Sequence, residues 1–217
     1  MEAVICDSSS LIALSDTCHL NIMNMFKSVN FVIPRMVEYE SVIRPLQIKQ
    51  YSLHAHRLRQ TIDKGTIKVI EDNNDLIRNV MDVANNTYYK KGKPIHLIDR
   101  GESGMIAACS DRDIRYMLID ERTTRTLIEA PDILKQHFED EFRVHITTNV
   151  ENLDKFRQMT KDIKILRSSE LLILAYNKGY FSSFSNQKDV LEAALYRLKY
   201  NGCALSFEEI QEFVGSL

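Results

Sequence analysis

Five acidic residues, Asp7, Glu40, Asp99, Glu102 and Asp120, stand where a folded chain can use them together. Asp7 directly follows the apolar run Ala3-Val4-Ile5-Cys6, and Asp120 directly follows Tyr116–Ile119. Both runs suit buried strands of a parallel sheet, and the carboxyl ends of such strands open onto the ligand crevice of an α/β fold. Carboxylates brought together there repel one another unless a cation neutralises them. An all-oxygen ligand set suits a hard divalent ion, magnesium or manganese. The chemistry within reach is that of a bound cation, which can activate a water and stabilise developing negative charge.

Helices must deliver the other acids. Glu40 lies at three- and four-residue spacing from Met36, Val37 and Ile43, so it is expected to point inward, while Glu38 falls nearer Arg35 and Val42 and is expected to be less buried. Glu102 shares a face with Met105, Ile106 and Cys109. A carboxylate on the apolar side of a helix is costly unless paired or bound to metal. Each acid also has an ordinary reading. Asp99 and Glu102 have capping-box spacing, Asp120 suits an N-cap of the helix after it, and Asp7 suits a turn. Those readings weaken jointly, because all would have to occur at one end of one sheet. Arg122 and Arg125 lie beside this pocket, placed to meet a nucleic-acid backbone. Asp111 and Asp113 read as turn residues at the opposite edge, and Lys90, Lys91 and Lys93 as a solvated loop. His54 and His56, two apart on a helix, do not share a face.

The positioning elements follow from periodicity. A helix begins near Leu11, with Ser8 or Ser9 as N-cap. Phe31-Val32-Ile33 reads as a strand ending at Pro34, which opens a helix over 35–44. A polar helix over 49–62, a strand over 66–70 and an amphipathic helix over 75–89 come next. The polar turn Lys90–Pro94 leads to a helix from about 100 to 110, the strand at 116–119, a helix over 122–130 and, over 143–147, what reads as the last strand. Strands alternating with helices predict a parallel sheet covered on both faces. Beyond 150 the pattern turns helical. Val190, Leu191, Ala194, Leu195 and Leu198 form one stripe, and Ser206 with Glu209 is a capping box opening a last helix.

Composition is compatible with this. A chain of 217 residues, 44% hydrophobic, buries a full core with a small appendage. Charged residues make up 27%, for a formal net charge of -2, which argues against a surface that grips nucleic acid everywhere but allows a local basic rim. The four cysteines are far apart with no C-x-x-C pair, which reads as buried, reduced thiols of a cytoplasmic protein. No apolar stretch is long enough for a bilayer, and no secretory pattern opens the chain. The first strand is followed by Asp7-Ser8-Ser9 rather than Asp-x-Asp, and no glycine-rich phosphate loop occurs, so phosphatase and P-loop chemistry are set aside.

Four motifs in register resemble those of the PIN-domain family. Val4-Ile5-Cys6-Asp7-Ser8-Ser9-Ser10-Leu11-Ile12-Ala13-Leu14 resembles its opening motif, and Val32-Ile33-Pro34 followed by Glu40 its second. Leu97-Ile98-Asp99-Arg100-Gly101-Glu102 with Ile106-Ala107-Ala108 is similar to the third, and Leu118-Ile119-Asp120-Glu121-Arg122 with Arg125 to the fourth. The tail from Asn177-Lys178-Gly179 through Ala204-Leu205-Ser206 resembles the C-terminal extension of an uncharacterised prokaryotic branch of the family.

The resemblance implies a three-layer α/β sandwich with a PIN-like nuclease domain over 1–150 and a helical extension over 151–217. It implies a magnesium- or manganese-dependent endoribonuclease, often the toxin of a toxin–antitoxin pair, acting on RNA, with an antitoxin or a second copy as partner. Catalytic positions carry over to Asp7, Glu40, Glu102 and Asp120, and metal ligands to these and Asp99. Glu121 is a near neighbour, and Ser9 supports the pocket through its hydroxyl. Two rival readings stand beside this one. A PIN-like module that binds RNA or protein without cutting would not need to gather carboxylates. A structure-specific DNA nuclease would show a helix–hairpin–helix or a long arch segment, and neither is evident.

Overall fold

The computed structural model describes residues 2–216. Its first strand, β1 (Glu2–Cys6), pairs in parallel with β2 (Val29–Pro34) on one side and β6 (Tyr116–Leu118) on the other. β3 (Ile67–Ile70) extends the sheet beyond β2, and β8 (Lys164–Leu166) extends it beyond β6, giving the order β3-β2-β1-β6-β8. Ile5, Cys6, Ile33, Met117 and Leu118 are fully or nearly fully buried, as expected of parallel strands covered on both faces.

The chain steps outward from β1 to β3 and then returns to the far side of β1 to lay down β6. The carboxyl ends of β1 and β6 therefore flank the switch point, the usual ligand crevice of an open α/β sheet. One helical layer contains α1 (Ser8–Asp16), α4 (Ser52–Asp63) and α10 (Ser168–Asn177), with α11 (Gln187–Tyr200) and α12 (Phe207–Gly215) packed outside α10. The other contains α5 (Asn74–Asn85), α6 (Arg100–Arg112) and α9 (Val150–Thr160). The three-layer α/β sandwich with a helical C-terminal region is the architecture expected above.

Several elements differ from expectation. Asp7, not Ser8 or Ser9, caps α1, its side chain accepting from the Ser9 N–H. The helix expected over 75–89 stops at Asn85, and Tyr88–Lys90 forms β4, which turns at Lys91 and Gly92 (φ 50° and 76°) into β5 (Lys93–Pro94). The strand expected over 143–147 is β7 (Ile146–Thr148), which pairs antiparallel with β4 in a separate three-stranded sheet. A helix, α8 (Pro131–Phe142), lies between α7 (Arg122–Glu129) and β7. Nor is β7 the last strand, because β8 follows and completes the central sheet beyond residue 150. These strands have three residues or fewer, too short for a periodic signal, and only their distant partners make them strands. Three cysteines are free and buried, but Cys18 is exposed. Among the described residues no helix is long and apolar enough to cross a membrane.

Candidate active site

Asp7 leaves β1 and turns into α1 with only 3% of its surface exposed. Its Oδ2 accepts from the Ser9 backbone N–H at 2.9 Å and from the Ser9 hydroxyl. The Ser8 hydroxyl lies 3.5 Å from Asp7 Oδ1 and 3.3 Å from Glu40 Oε2, bridging two carboxylates 33 residues apart in the chain. Burial pushes Asp7 up to about 6; the Ser9 and Ser8 hydrogen bonds oppose this, and the charge of Asp120 adds to it.

Glu40 arrives on a helix with an irregularity. α2 (Arg35–Glu38) passes through one π turn (Tyr39–Ile43) into α3 (Arg44–Leu46). The wider turn shifts the phase of every later side chain. The inward face is Val37, Glu38, Ser41, Val42 and Pro45, while Ile43 is exposed and Glu40 half-buried at the margin. The expectation for Glu38 and Glu40 is therefore reversed. Glu38 is the buried one, held near Arg35 (3.5 Å) and Arg59 (3.9 Å), whereas Glu40 faces the other acids. Burial, then the charges of Asp99 and Asp7, raise Glu40 to about 7 against the weaker effects of Ser8 and Arg44.

Asp99 and Glu102 open α6 as the capping box their spacing predicts. Asp99 Oδ1 accepts from the N–H groups of Gly101 (2.7 Å) and Glu102 (3.1 Å), and Glu102 Oε2 accepts from the Asp99 N–H (2.7 Å). The pair titrates as a unit. Burial, then the hydrogen bond and charge of Asp99, hold Glu102 well above the carboxylate range. For Asp99 burial acts upward but is outweighed by hydrogen bonds from Glu102 and Gly101, so its pKa falls. Gly101 lies between this pair and Glu40. A Cβ there would sit 2.9 Å from Glu40 Oε2 and 3.2 Å from Asp99 Oδ1, so a bare backbone lets these carboxylates approach.

Asp120 differs from the other four. It is 1% exposed and does not cap α7, a task that falls to Glu121 through the N–H groups of Thr123 (2.7 Å) and Thr124 (2.6 Å). Instead Asp120 receives the Ser168 backbone N–H (2.8 Å) and hydroxyl (2.6 Å) at the start of α10, with Cys203 Sγ 3.5 Å away. Burial raises its pKa.

The fold therefore brings Asp7, Glu40, Asp99 and Glu102 into mutual electrostatic reach, with Asp120 reaching Asp7. Among the described residues no Lys or Arg hydrogen-bonds or pairs with any of the five; Arg44, His96 and Arg167 act on them only through charge. In donor chemistry the set fits a hard cation. In position it is not closed, because among the described residues no three His, Cys, Asp or Glu side chains are spaced to hold one ion. Arg122 turns its guanidinium to the His137 ring (3.2 Å). Together with Arg125 it lines a groove of about 440 Å³ completed by Lys199, Ala204, Leu205, Ser206 and Glu209.

Ser8, Gly101, Ser168 and Cys203 are the residues that sequence reasoning passed over. The run of three serines after a strand-end aspartate was a usable signal for Ser8, and the glycine between Asp99 and Glu102 for Gly101. Nothing local marks Ser168 or Cys203, which reach Asp120 across 48 and 83 positions.

A family model described as a PIN domain matches residues 3–134. No curated protein and no solved structure matches the chain.

Proposed function

This chain belongs to the PIN-domain family, a nuclease-type fold, and from that premise we propose that it is a divalent-metal-dependent endoribonuclease hydrolysing RNA phosphodiester bonds. One observation carries the reading. Four carboxylates lie within electrostatic reach of one another beside the switch-point crevice with, among the described residues, no cationic side chain paired to them, and two are pushed up to about 6 and 7. Uncompensated repulsion of this kind is costly, and sites that tolerate it are commonly functional.

The side chains suit distinct tasks. Asp7, locked by two hydrogen bonds from Ser9, presents a fixed anionic face, and Ser8 sets its distance to Glu40. Glu102, whose Oε2 accepts from the Asp99 N–H, would serve as a second anionic ligand in its ionised form. Asp120, fixed by Ser168, contributes negative potential behind Asp7. A magnesium or manganese ion, bound here, would supply a Lewis acid for the phosphate and a lowered pKa for an attacking water. In that hydrolysis the water oxygen would bond to phosphorus and give up a proton, the P–O bond to the leaving nucleoside would break, and the leaving oxygen would take up a proton.

The test pairs calorimetric titration with MnCl2 and cleavage of end-labelled RNA, with branched DNA in parallel. The reading expects manganese binding that weakens in Glu40→Gln and RNA cleavage that vanishes in Asp7→Asn while circular dichroism is unchanged. Undiminished manganese-dependent cleavage by Asp7→Asn would sink it. A second reading, a PIN-like module that binds RNA without cutting, draws support from the open spacing of the acids and from Asp120 being committed to Ser168. Failure to bind manganese at all would favour it.

A further inference from the structure

Residues 135–216 lie outside the matched segment and carry a surface that the carboxylate crevice does not use. Three aromatic rings gather where α11 ends and α12 begins. Tyr196 and Tyr200 lie 5.7 Å and 6.4 Å from Phe207 between ring centroids. Tyr200 is 71% exposed and Phe207 43%. Lys199 Nζ sits 4.3 Å from the centre of the Phe207 ring and donates to the Leu205 carbonyl at 2.5 Å, which fixes the ammonium between the rings and the adjoining groove. In that groove Lys199 meets Arg122 and Arg125 from α7. Arg125 Nε is buried with no hydrogen-bond partner among the described residues. The groove's one acid, Glu209, is neutralised by Arg167 at 2.8 Å.

We propose that α11 and α12 form a platform for single-stranded RNA, with bases stacking on Tyr200 and Phe207 and the backbone crossing Arg122, Arg125 and Lys199 toward the carboxylate crevice. The combination of rings with interleaved cations separates this from a protein-docking patch, since bases supply π faces and phosphates supply the charge. Arg167 holds Glu209 at the groove, and the residue after it, Ser168, holds Asp120. Asp189 and Glu192, beside Tyr196 and Tyr200, bound the path on its far side. The direction of the strand, though not its binding, rests on the nuclease reading above.

The experiment is fluorescence anisotropy of a labelled single-stranded RNA oligonucleotide in EDTA, where cleavage is stopped, with the same sequence as a duplex alongside. Wild type is expected to prefer the single strand. Tyr200→Ala should weaken binding roughly tenfold and Tyr200→Phe should restore it. Lys199→Met should lower the slope of log affinity against log salt by about 0.7. Tyr200→Ala binding as tightly as wild type, or duplex bound as well as single strand, would overturn the platform. Asp7→Asn separates the two readings. A protein that binds single strands through Tyr200 but never cleaves keeps the platform and loses the nuclease. One that cleaves while Tyr200→Ala binds normally loses the platform alone.

Discussion

Carboxylates gather at two places in this molecule under opposite conditions. Near the end of the chain, Arg167, with a side chain only 7% exposed, holds Glu170 at 3.1 Å and Glu209 at 2.8 Å and donates to the Ala204 carbonyl. That network joins α10 to α12, and each charge has a partner. At the carboxyl end of β1, Asp7, Glu40, Asp99 and Glu102 have no charged partner among the described residues, and Asp7, Glu40 and Glu102 are all pushed upward. Fold-holding carboxylates are paired, whereas those at the crevice are left to repel one another. Asp120 stands between the two, bonded to the residue that follows Arg167 and acting by charge on Asp7.

The contrast can be broken or sharpened by substitution. The largest effect is expected for Asp7→Asn, which should cut RNA cleavage by about a hundredfold or more yet raise the melting temperature in EDTA, because a repelling charge is gone. A fall in melting temperature would show that Asp7 belongs with the paired carboxylates. Arg167→Ala should do the reverse and cost about 2–4 kcal/mol in urea unfolding. Breaking a fully buried pair costs about 3–5 kcal/mol, and solvent screening reduces this because the partner carboxylates remain 35% and 37% exposed. An unchanged midpoint would deny the network its structural role.

Ser168→Ala removes the hydroxyl from Asp120 without touching the other acids. A supporting group of this kind is worth about 10–100-fold in metal affinity or activity, measured here as manganese affinity; no change would detach Asp120 from the site. Gly101→Ala should shift Glu40 and weaken manganese binding by less, since the end of a flexible side chain can retreat by a few tenths of an ångström. Wild-type affinity in that variant would free Gly101 from its spacing role.

The smallest effect is on pH dependence. Asp7 moves from 3.8 to about 6 and Glu40 from 4.5 to about 7, so between those limits the native state holds more protons than the unfolded one. Stability of the metal-free protein from these groups is then full below about pH 4 and falls as pH rises toward 7. Manganese should flatten the fall by favouring the ionised forms. Melting curves across that range, with EDTA and with manganese, check the sign, and a rise in both would refute it.

Local chemistry alone determined much of this protein. Each acid beside a strand end or a cap could be read from its neighbours, because an apolar run followed by aspartate, or Asp-x-x-Glu before an apolar helix, carries its geometry within a few residues. The parallel sheet with helices on both faces was legible for the same reason. Glu40 was found by motif but misplaced by periodicity, since a single π turn is invisible to 3.6-residue counting. Only the tertiary structure decided that β8 closes the sheet, that Ser168 and Cys203 enclose Asp120, and that Lys199 lines one groove with Arg122 and Arg125. Those contacts join residues tens of positions apart, and no local propensity specifies them. They form because a sheet edge, a buried charge or an unfilled groove must find its partner wherever the chain can bring one.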